Sequence, residues 1–600
     1  MELKEWLRRN ENWILALCFV IALGIFTACR FDYYYDLNDD VLMKDILSGA
    51  YTGTPEGHNI QMLWLVSAFI SLFYRVAGGL PWYGLFLCGC HYGCLFLVLK
   101  RSLGFVKTFW GKLWLALAES LVFTGLFLTH LVYAQYTVTC TLLAGTAAFL
   151  FYTTDITLPA KEFIKKNIPA VLLVSLAYLI RSEMLALVLP MICVAGAAKW
   201  GSEKRIFTKE HAVKYLSVIG LILAGLLIGQ ASHMLAYGSE EWRTFTEFFD
   251  NRTELYDFQE IPAYEENRDF YESVGLSESE QVLFENYNFG MDEEIDEELV
   301  GRLALYAGAD KNAGEPFFTR LSESLAFYVY RLTHGPYDTG SDYPWNYVVI
   351  LGYFMVFLLS LPKKEKSPAG YAKNGLGAAW KLAFLFAVRT ALWMFILMRG
   401  RDPERITHSL YLMELCILAA MMMVSWQQIL YRKTKRLWGL LAVLGFVMLA
   451  AMILPESVKA SDVQQTQRAE ANAPYKELYA YLSGEENKDN FYLIDVYSSV
   501  GYSEKMFEGV DNSLDNYDIM GGWACKSPLQ RKKLAAFGID NMEQALKDKD
   551  NVYFVRMCTE DMEWLTDYYE GHDTPVEVRL VETVADIFEI YEVKGVDMTQ

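Results

Sequence analysis

The stretch FDYYYDLNDDVLMKDILSG, residues 31–49, decides how this chain is read. It follows directly on the first long apolar run, residues 13–29, where that run would leave a membrane. Three consecutive tyrosines (Tyr33, Tyr34, Tyr35) and five aspartates (Asp32, Asp36, Asp39, Asp40, Asp45) crowd into it. Locally the pattern is a helix start: Asn38 as N-cap, Asp39 and Asp40 in a first turn whose dipole favours acids, and Gly49 as the stop. A cap does not require so many acids. A functional reading therefore stands beside it, with one carboxylate as a general base and another as a metal ligand.

Composition gives the setting. Of 600 residues, 53% are hydrophobic and 15% aromatic, yet the formal net charge is -20. That pairing fits a multi-spanning membrane chain with acidic water-exposed parts, and it excludes a basic nucleic-acid binder. Crossing ~30 Å of hydrocarbon takes about 20 residues, fewer where flanks snorkel. Spans are expected at 13–29, 82–99, 113–132, 136–152, 168–181, 183–198, 215–236, 346–362, 377–398, 408–427 and 437–454. With so many runs behind it, the first is an uncleaved anchor rather than a signal.

Lysine and arginine concentrate at 1–10, 100–112, 160–167, 199–214, 363–374 and 431–436. These fall on one side if 59–79 lies in the interface without crossing, which puts the N-terminus in the cytoplasm. The expected architecture is an α-helical polytopic membrane protein of about eleven transmembrane helices. A transmembrane domain, 1–454, carries outward loops 30–81 and 237–345. An extracytoplasmic domain, 455–600, opens on a polar linker at 457–474. Beyond it, strands are expected at 490–499, 551–557, 576–584 and 585–594, with helices at 528–539, 541–549 and 560–571. That is a small α/β domain long enough for its own core.

Two more constellations fall on the outward side. Arg181 and Glu183 stand between two apolar helices, where charge is costly and usually functional. The stretch ILMRGRDPERITHSLYL, 396–412, places Arg399, Arg401 and Arg405 in an outward loop, with His408 opening the next helix. Guanidinium forks match phosphate oxygens, so this cluster suits a lipid-linked phosphate or pyrophosphate; pairing with Asp402, Glu404 and the acidic loop 237–345 is the plainer alternative. The acidic run 291–301, MDEEIDEELVG, lacks calcium-loop spacing and reads as a solvated helix face. Cys88, Cys90 and Cys94 read as helix packing. Cys525 and Cys558 fall in the tail, and their pairing stays open. Nucleotide-binding, serine-hydrolase and zinc-protease signatures are missing.

The layout resembles the GT-C superfamily of integral-membrane glycosyltransferases. NDDVLMKDILSG (38–49) sits where that family carries an acidic first-loop motif. GHNIQMLWLVSAFISLFYRVAGGLPWYGLFL (57–87) sits where its juxtamembrane helices run into the second span. IRSE (180–183) and RGRDPERITHS (399–409) resemble its outer-edge basic positions. The resemblance implies transfer of a sugar from a polyprenyl-phosphate donor to a glycan, lipid or protein acceptor, with inversion. Asp39 or Asp40, Asp39 preferred, would be the base. Arg181, Arg399, Arg401 and Arg405 would hold the phosphate. Asp36, Glu183, His58 and His408 complete the implied substrate contacts. A divalent cation (Mg or Mn) on Asp39 and Asp40 is left open, because the motif is Asn-Asp-Asp rather than the commoner Asp-Glu. The tyrosines suit the interface as amphipathic anchors and sugar platforms.

A transporter or flippase of a lipid-linked or anionic solute would want similar charges, but also internal repeats. None is visible, and the charges gather at one face rather than at mid-membrane. A polysaccharide polymerase or ligase is a close chemical cousin.

Overall fold

The computed structural model describes residues 2–596 apart from 315, 336–339, 363–367, 430–431 and 510–511. The helices of the first half are α1 (Glu2–Arg9), α2 (Glu11–Arg30), α3 (Asn38–Ser48), α4 (Trp64–Val76), α5 (Trp82–Leu103), α6 (Phe109–Val132), α7 (Tyr136–Thr153), α8 (Ala160–Ile180), α9 (Ser182–Trp200) and α10 (Lys209–Ala236). Two short strands, β1 (Tyr34–Tyr35) and β2 (Tyr133–Ala134), pair in parallel. A layer of loop helices follows: α11 (Glu240–Phe258), α12 (Arg268–Val274), α13 (Glu278–Glu285), α14 (Glu297–Gly314) and α15 (Phe317–Thr333). Then come α16 (Trp345–Ser360), α17 (Pro368–Leu397), α18 (Glu404–Gln428) and α19 (Arg432–Leu482). The tail holds β3 (Phe491–Ile494), β4 (Tyr517–Ile519), α20 (Pro528–Ala536), α21 (Met542–Asp548), β5 (Val552–Met557), α22 (Glu563–Gly571), β6 (Val576–Val584) and β7 (Phe588–Gly595).

Ten helices among the described residues are long and apolar enough to cross a membrane: α2, α5 to α10, and α17 to α19. The chain is therefore a polytopic membrane protein by length and composition. The expected eleventh span is α16, whose 16 residues fall short of that length. It nevertheless keeps pace with α18, from Trp345 stacked on His408 at 5.0 Å to Ser360 Oγ 2.9 Å from Ser425 Oγ. Residues 59–79 resolve into α4, 13 residues and about 20 Å long, too short to cross. One of its faces is apolar and exposed, with Leu65, Phe69, Leu72 and Val76.

The ionisable residues do not all gather at one face, contrary to expectation. Arg389 of α17 and Glu414 of α18 form an ion pair within the bundle at 2.7 Å, their side chains 1% and 0% exposed. Tyr353 donates to the other Glu414 oxygen at 2.6 Å, and Arg389 also reaches Tyr328.

The polar stretch 457–474 is not a linker. α19 is one helix of 51 residues that carries the chain from an apolar half into a polar one. Its polar half is rich in good helix formers and has no apolar stripe, so it reads as loop. Contacts to the first loop hold it: Arg30–Asp462 at 2.6 Å, Gln465 against the Asp32 backbone, and Arg468–Asp36 at 2.6 Å.

The sheet runs β4-β3-β5-β7-β6, with β4, β3 and β5 parallel and β7 and β6 antiparallel. All seven strands and helices expected in the tail are present; only the short β4 lacks a counterpart in the sequence reading. The tail does not keep its core to itself. The end of α19 packs on one group of sheet residues through Tyr475, Leu478 and Leu482. The other core is shared with the loop layer: Phe248, Leu255, Phe284 and Phe289 lie with Phe491, Leu493 and Phe554. Gly290 marks one close approach. Its N–H donates to the Met520 carbonyl, and a Cβ there would stand 2.4 Å from Cys525 Sγ. Cys525 is buried and Cys558 exposed, both unpaired.

The tyrosines are not interfacial anchors. Tyr33, Tyr34 and Tyr35 are 8%, 1% and 1% exposed. β1 is gripped from both sides. Asp36 N–H donates to Ala134 O beyond the β2 pairing; opposite, Tyr35 N–H donates to Glu504 O and Met506 N–H to Tyr33 O. A second latch joins α3 to the tail, where Lys44 lies 2.6 Å from Asp45 and 2.7 Å from Glu504. Asp515 adjoins this group. Burial first, then the Asp45 charge, pushes its carboxyl up to about 7 against the pull of Lys533 and Lys44.

Two outcomes are expected. Glu414→Leu alone strands the Arg389 charge and costs about 3–5 kcal/mol, whereas Arg389→Met with Glu414→Leu costs far less; thermal unfolding in detergent reads both. The folded chain holds the Asp515 proton more tightly than the unfolded chain. That contribution is fully present below about pH 4 and is lost as pH rises through about 7. Asp515→Asn therefore gains in melting temperature over the parent across that window and stays level above it.

Candidate functional site

α3 begins one residue earlier than a cap at Asn38 requires. Leu37 is extended and Asn38 is already helical, so Asp39 and Asp40 occupy the first turn. Gly49 ends the helix in the left-handed region at φ 99°, where a Cβ would also meet the Pro55 nitrogen at 2.7 Å. Adjacent helical positions point about 100° apart, so the two acids meet different surroundings.

Asp40 faces inward. It is 0% exposed, and Tyr83 donates a 2.6 Å hydrogen bond to its Oδ1. Its Oδ2 is buried without a partner among the described residues. Burial holds the carboxyl well above the usual carboxylate range; the Tyr83 hydrogen bond opposes this but does not overcome it. Burial thus favours the neutral form of Asp40, which has no surface to offer a substrate. Asp39 is half-buried, and its charge reaches Arg181.

Asp36 is committed elsewhere. Arg468 of α19 binds its carboxylate at 2.6 Å and its carbonyl at 3.0 Å, with the guanidinium 4.4 Å over the Tyr133 ring. The Asp36 charge also reaches His130 and Glu404.

Arg181 stands at the break between α8 and α9, its side chain 26% exposed. It lies 4.7 Å over the Tyr136 ring and donates to Gln61 Oε1 at 3.4 Å, while Tyr136 also donates to Gln61 at 3.1 Å. The charges facing it are Glu183, Asp39, Arg405 and Asp257. Glu183 is 74% exposed and 4.0 Å away, a loose partner in water.

The three loop arginines separate. Arg401 pairs with Asp257 of α11, in the acidic loop, at 2.7 Å, as the ion-pairing alternative anticipates. Arg399 is exposed over the rings of Phe258 and Phe395. Asp402 instead meets Arg331, which also grips Asp342 at 2.9 Å. Arg405 forms no ion pair with a described residue, and its charge reaches Arg181.

The histidines are built into packing. His58 stacks on Trp242 at 5.0 Å and sits 3.2 Å from the Ala236 carbonyl. His408 bonds His130 at 2.9 Å under Trp345. Nor do Asp39 and Asp40 form part of a metal-type cluster: among the described residues, the one group of three such ligands lies at Glu280, Asp292 and His572.

The first-loop acid and one loop arginine thus both lie within electrostatic reach of the helix-break arginine at the loop-bearing end of the bundle. Gln61, Tyr136, Asp257 and Arg468 were not singled out in the sequence. Arg468 was hidden in the stretch taken for a linker, and Asp257 in an acidic loop without periodicity. No protein-family model, curated protein or solved structure matches the chain.

Proposed function

We propose that the chain is a membrane glycosyltransferase, moving a sugar from a polyprenyl-phosphate donor to a glycan, lipid or protein acceptor with inversion. The observation that carries this reading is the position of Arg181, which the charges of both Asp39 and Arg405 reach. In this mechanism Asp39 removes the proton of the acceptor hydroxyl. The freed oxygen attacks the anomeric carbon from the face opposite the phosphate, the carbon–oxygen bond to phosphate breaks, and polyprenyl phosphate leaves with the electron pair. Arg181 and Arg405 take up the negative charge that grows on the leaving group. Tyr136 and Gln61 hold the Arg181 fork in place. Asp40 and Arg468 are positioning residues that fix α3 and Asp36. The apolar face of α4 suits the polyprenyl tail in the interface, and the lysine and arginine distribution puts this end outside the cell. Asp36 and Asp40 are occupied by Arg468 and Tyr83, so no step here is routed through Mg or Mn.

A flippase or transporter is the second reading, favoured by one observation: the buried Arg389–Glu414 pair with its two tyrosines, a charge network of the kind that marks solute paths.

Purified protein offered polyprenyl-phosphate sugars and an acceptor panel separates these. Asp39→Asn is expected to lower turnover by about 10²–10⁴-fold with donor binding kept. Arg405→Ala should weaken donor binding. Asp40→Asn, which keeps an oxygen to accept the Tyr83 hydrogen bond, should change turnover little. Donor crossing vesicle bilayers without transfer, and abolished by Glu414→Gln, would replace the transferase reading with the second one. Donor binding equal in the parent and in Arg181→Ala with Arg405→Ala would remove the phosphate role.

A further inference from the structure

The acidic run 291–301 is solvated at Glu293, Glu294, Asp296 and Glu298, but not at Asp292, which is 4% exposed. The buried carboxylate needs an explanation. Its Oδ1 accepts the Glu294 N–H at 2.7 Å, while Oδ2 is buried with no hydrogen-bond partner among the described residues. The Tyr568 hydroxyl stands at the limit of hydrogen-bonding reach of this carboxylate. A buried carboxylate oxygen met so poorly costs free energy that a bound ligand would recover.

Two further groups converge on it. Glu280 of α13 has one oxygen used: Oε2 accepts from the N–H and the hydroxyl of Ser277, both at 2.6 Å, closing a capping box. Its Oε1 points at His572 Nε2, 3.6 Å away. His572 follows α22, and its Nδ1 lies 2.8 Å from the Tyr568 carbonyl. A carbonyl only accepts, so the neutral ring carries its proton on Nδ1 and presents a lone pair at Nε2. This is the outer-shell arrangement that orients a metal-binding imidazole. One ligand atom from each of Glu280, Asp292 and His572 lies within 4.8 Å of the others. Ligands at about 2.0–2.2 Å around a tetrahedral ion stand about 3.4 Å apart, close to the His572–Glu280 spacing.

We propose that Glu280, Asp292 and His572 bind a divalent transition-metal ion of the zinc or manganese type, which staples the loop layer to the C-terminal sheet unit. One imidazole and two carboxylates suit these ions, and oxygen-only cations lack a use for the imidazole. Two ligands come from 280–292 and the third from 572, so the ion closes the seam already packed by Phe284, Phe289 and Tyr568. This site is independent of the glycosyl-transfer reading.

The test uses the full chain in detergent, without a polyhistidine tag, after dialysis against chelator. Zn²⁺, Mn²⁺ and Mg²⁺ are added separately, and bound metal and thermal midpoint are measured. The expected result is about one Zn²⁺ or Mn²⁺ per chain and a midpoint that climbs with the logarithm of metal concentration. Mg²⁺ should do neither. His572→Gln and Asp292→Asn should lose both effects, while His572→Gln melts within a degree or so of the chelated parent, showing that it folds. Metal bound equally by the parent and His572→Gln would overturn the proposal. So would a midpoint that ignores both metals and rises only on acidification, which would make the cluster a protonated histidine held by two carboxylates.

Discussion

Everything at the loop-bearing end depends on the backbone of Tyr33–Asp36 being hydrogen-bonded on both edges. On one edge it meets Tyr133–Ala134 between α6 and α7; on the other it meets Glu504 and Met506 of the tail. A two-residue strand has little stability alone. Here the buried tyrosines supply the packing: Tyr35 stacks on Tyr83 at 5.5 Å, and Tyr33 shares hydroxyl hydrogen bonds with Thr27 and Tyr92. This small assembly fixes the start of α3, and with it the direction of each acid in the first turn.

The same constraint divides labour among three neighbouring aspartates. Asp36 is paired with Arg468, burial favours the neutral form of Asp40, and Asp39 keeps a partly exposed side chain whose charge reaches Arg181. Side chains of one chemistry thus acquire three states through position alone, which is how a protein selects a base from a cluster of acids. The arginines divide similarly, since Arg401 is satisfied by Asp257 while Arg405 is not tied to a carboxylate among the described residues.

The tail and the loop layer fold as one body because they share a core and polar stitches. Asn288 donates to Asp495 at 2.7 Å and accepts from Val496 N–H at 3.0 Å, both deep in the seam. α19 then runs from the membrane part into the sheet without a break, so a movement of the tail would be felt at Asp36 through Arg468. A separate domain on a flexible tether would carry no such coupling.

The sequence by itself determined the membrane class, the positions of the spanning helices, the C-terminal stop of α3 at Gly49 and nearly all the elements of the tail. These follow from apolar length, local periodicity and glycine's freedom at positive φ, all properties of short windows. It also marked Asp39, Arg181 and Arg405, since charge beside apolar helices is conspicuous. Only the tertiary structure decided which aspartate is buried, that the polar stretch is helix, that the tail shares its core, and that Arg389 and Glu414 meet inside the bundle. Each of these rests on partners far apart in the chain. Arg468 and Asp36 are separated by 432 residues, and Asn288 and Asp495 by 207. A pairing over such distances leaves no mark in either local pattern, because its free energy exists only once both segments have been brought into contact.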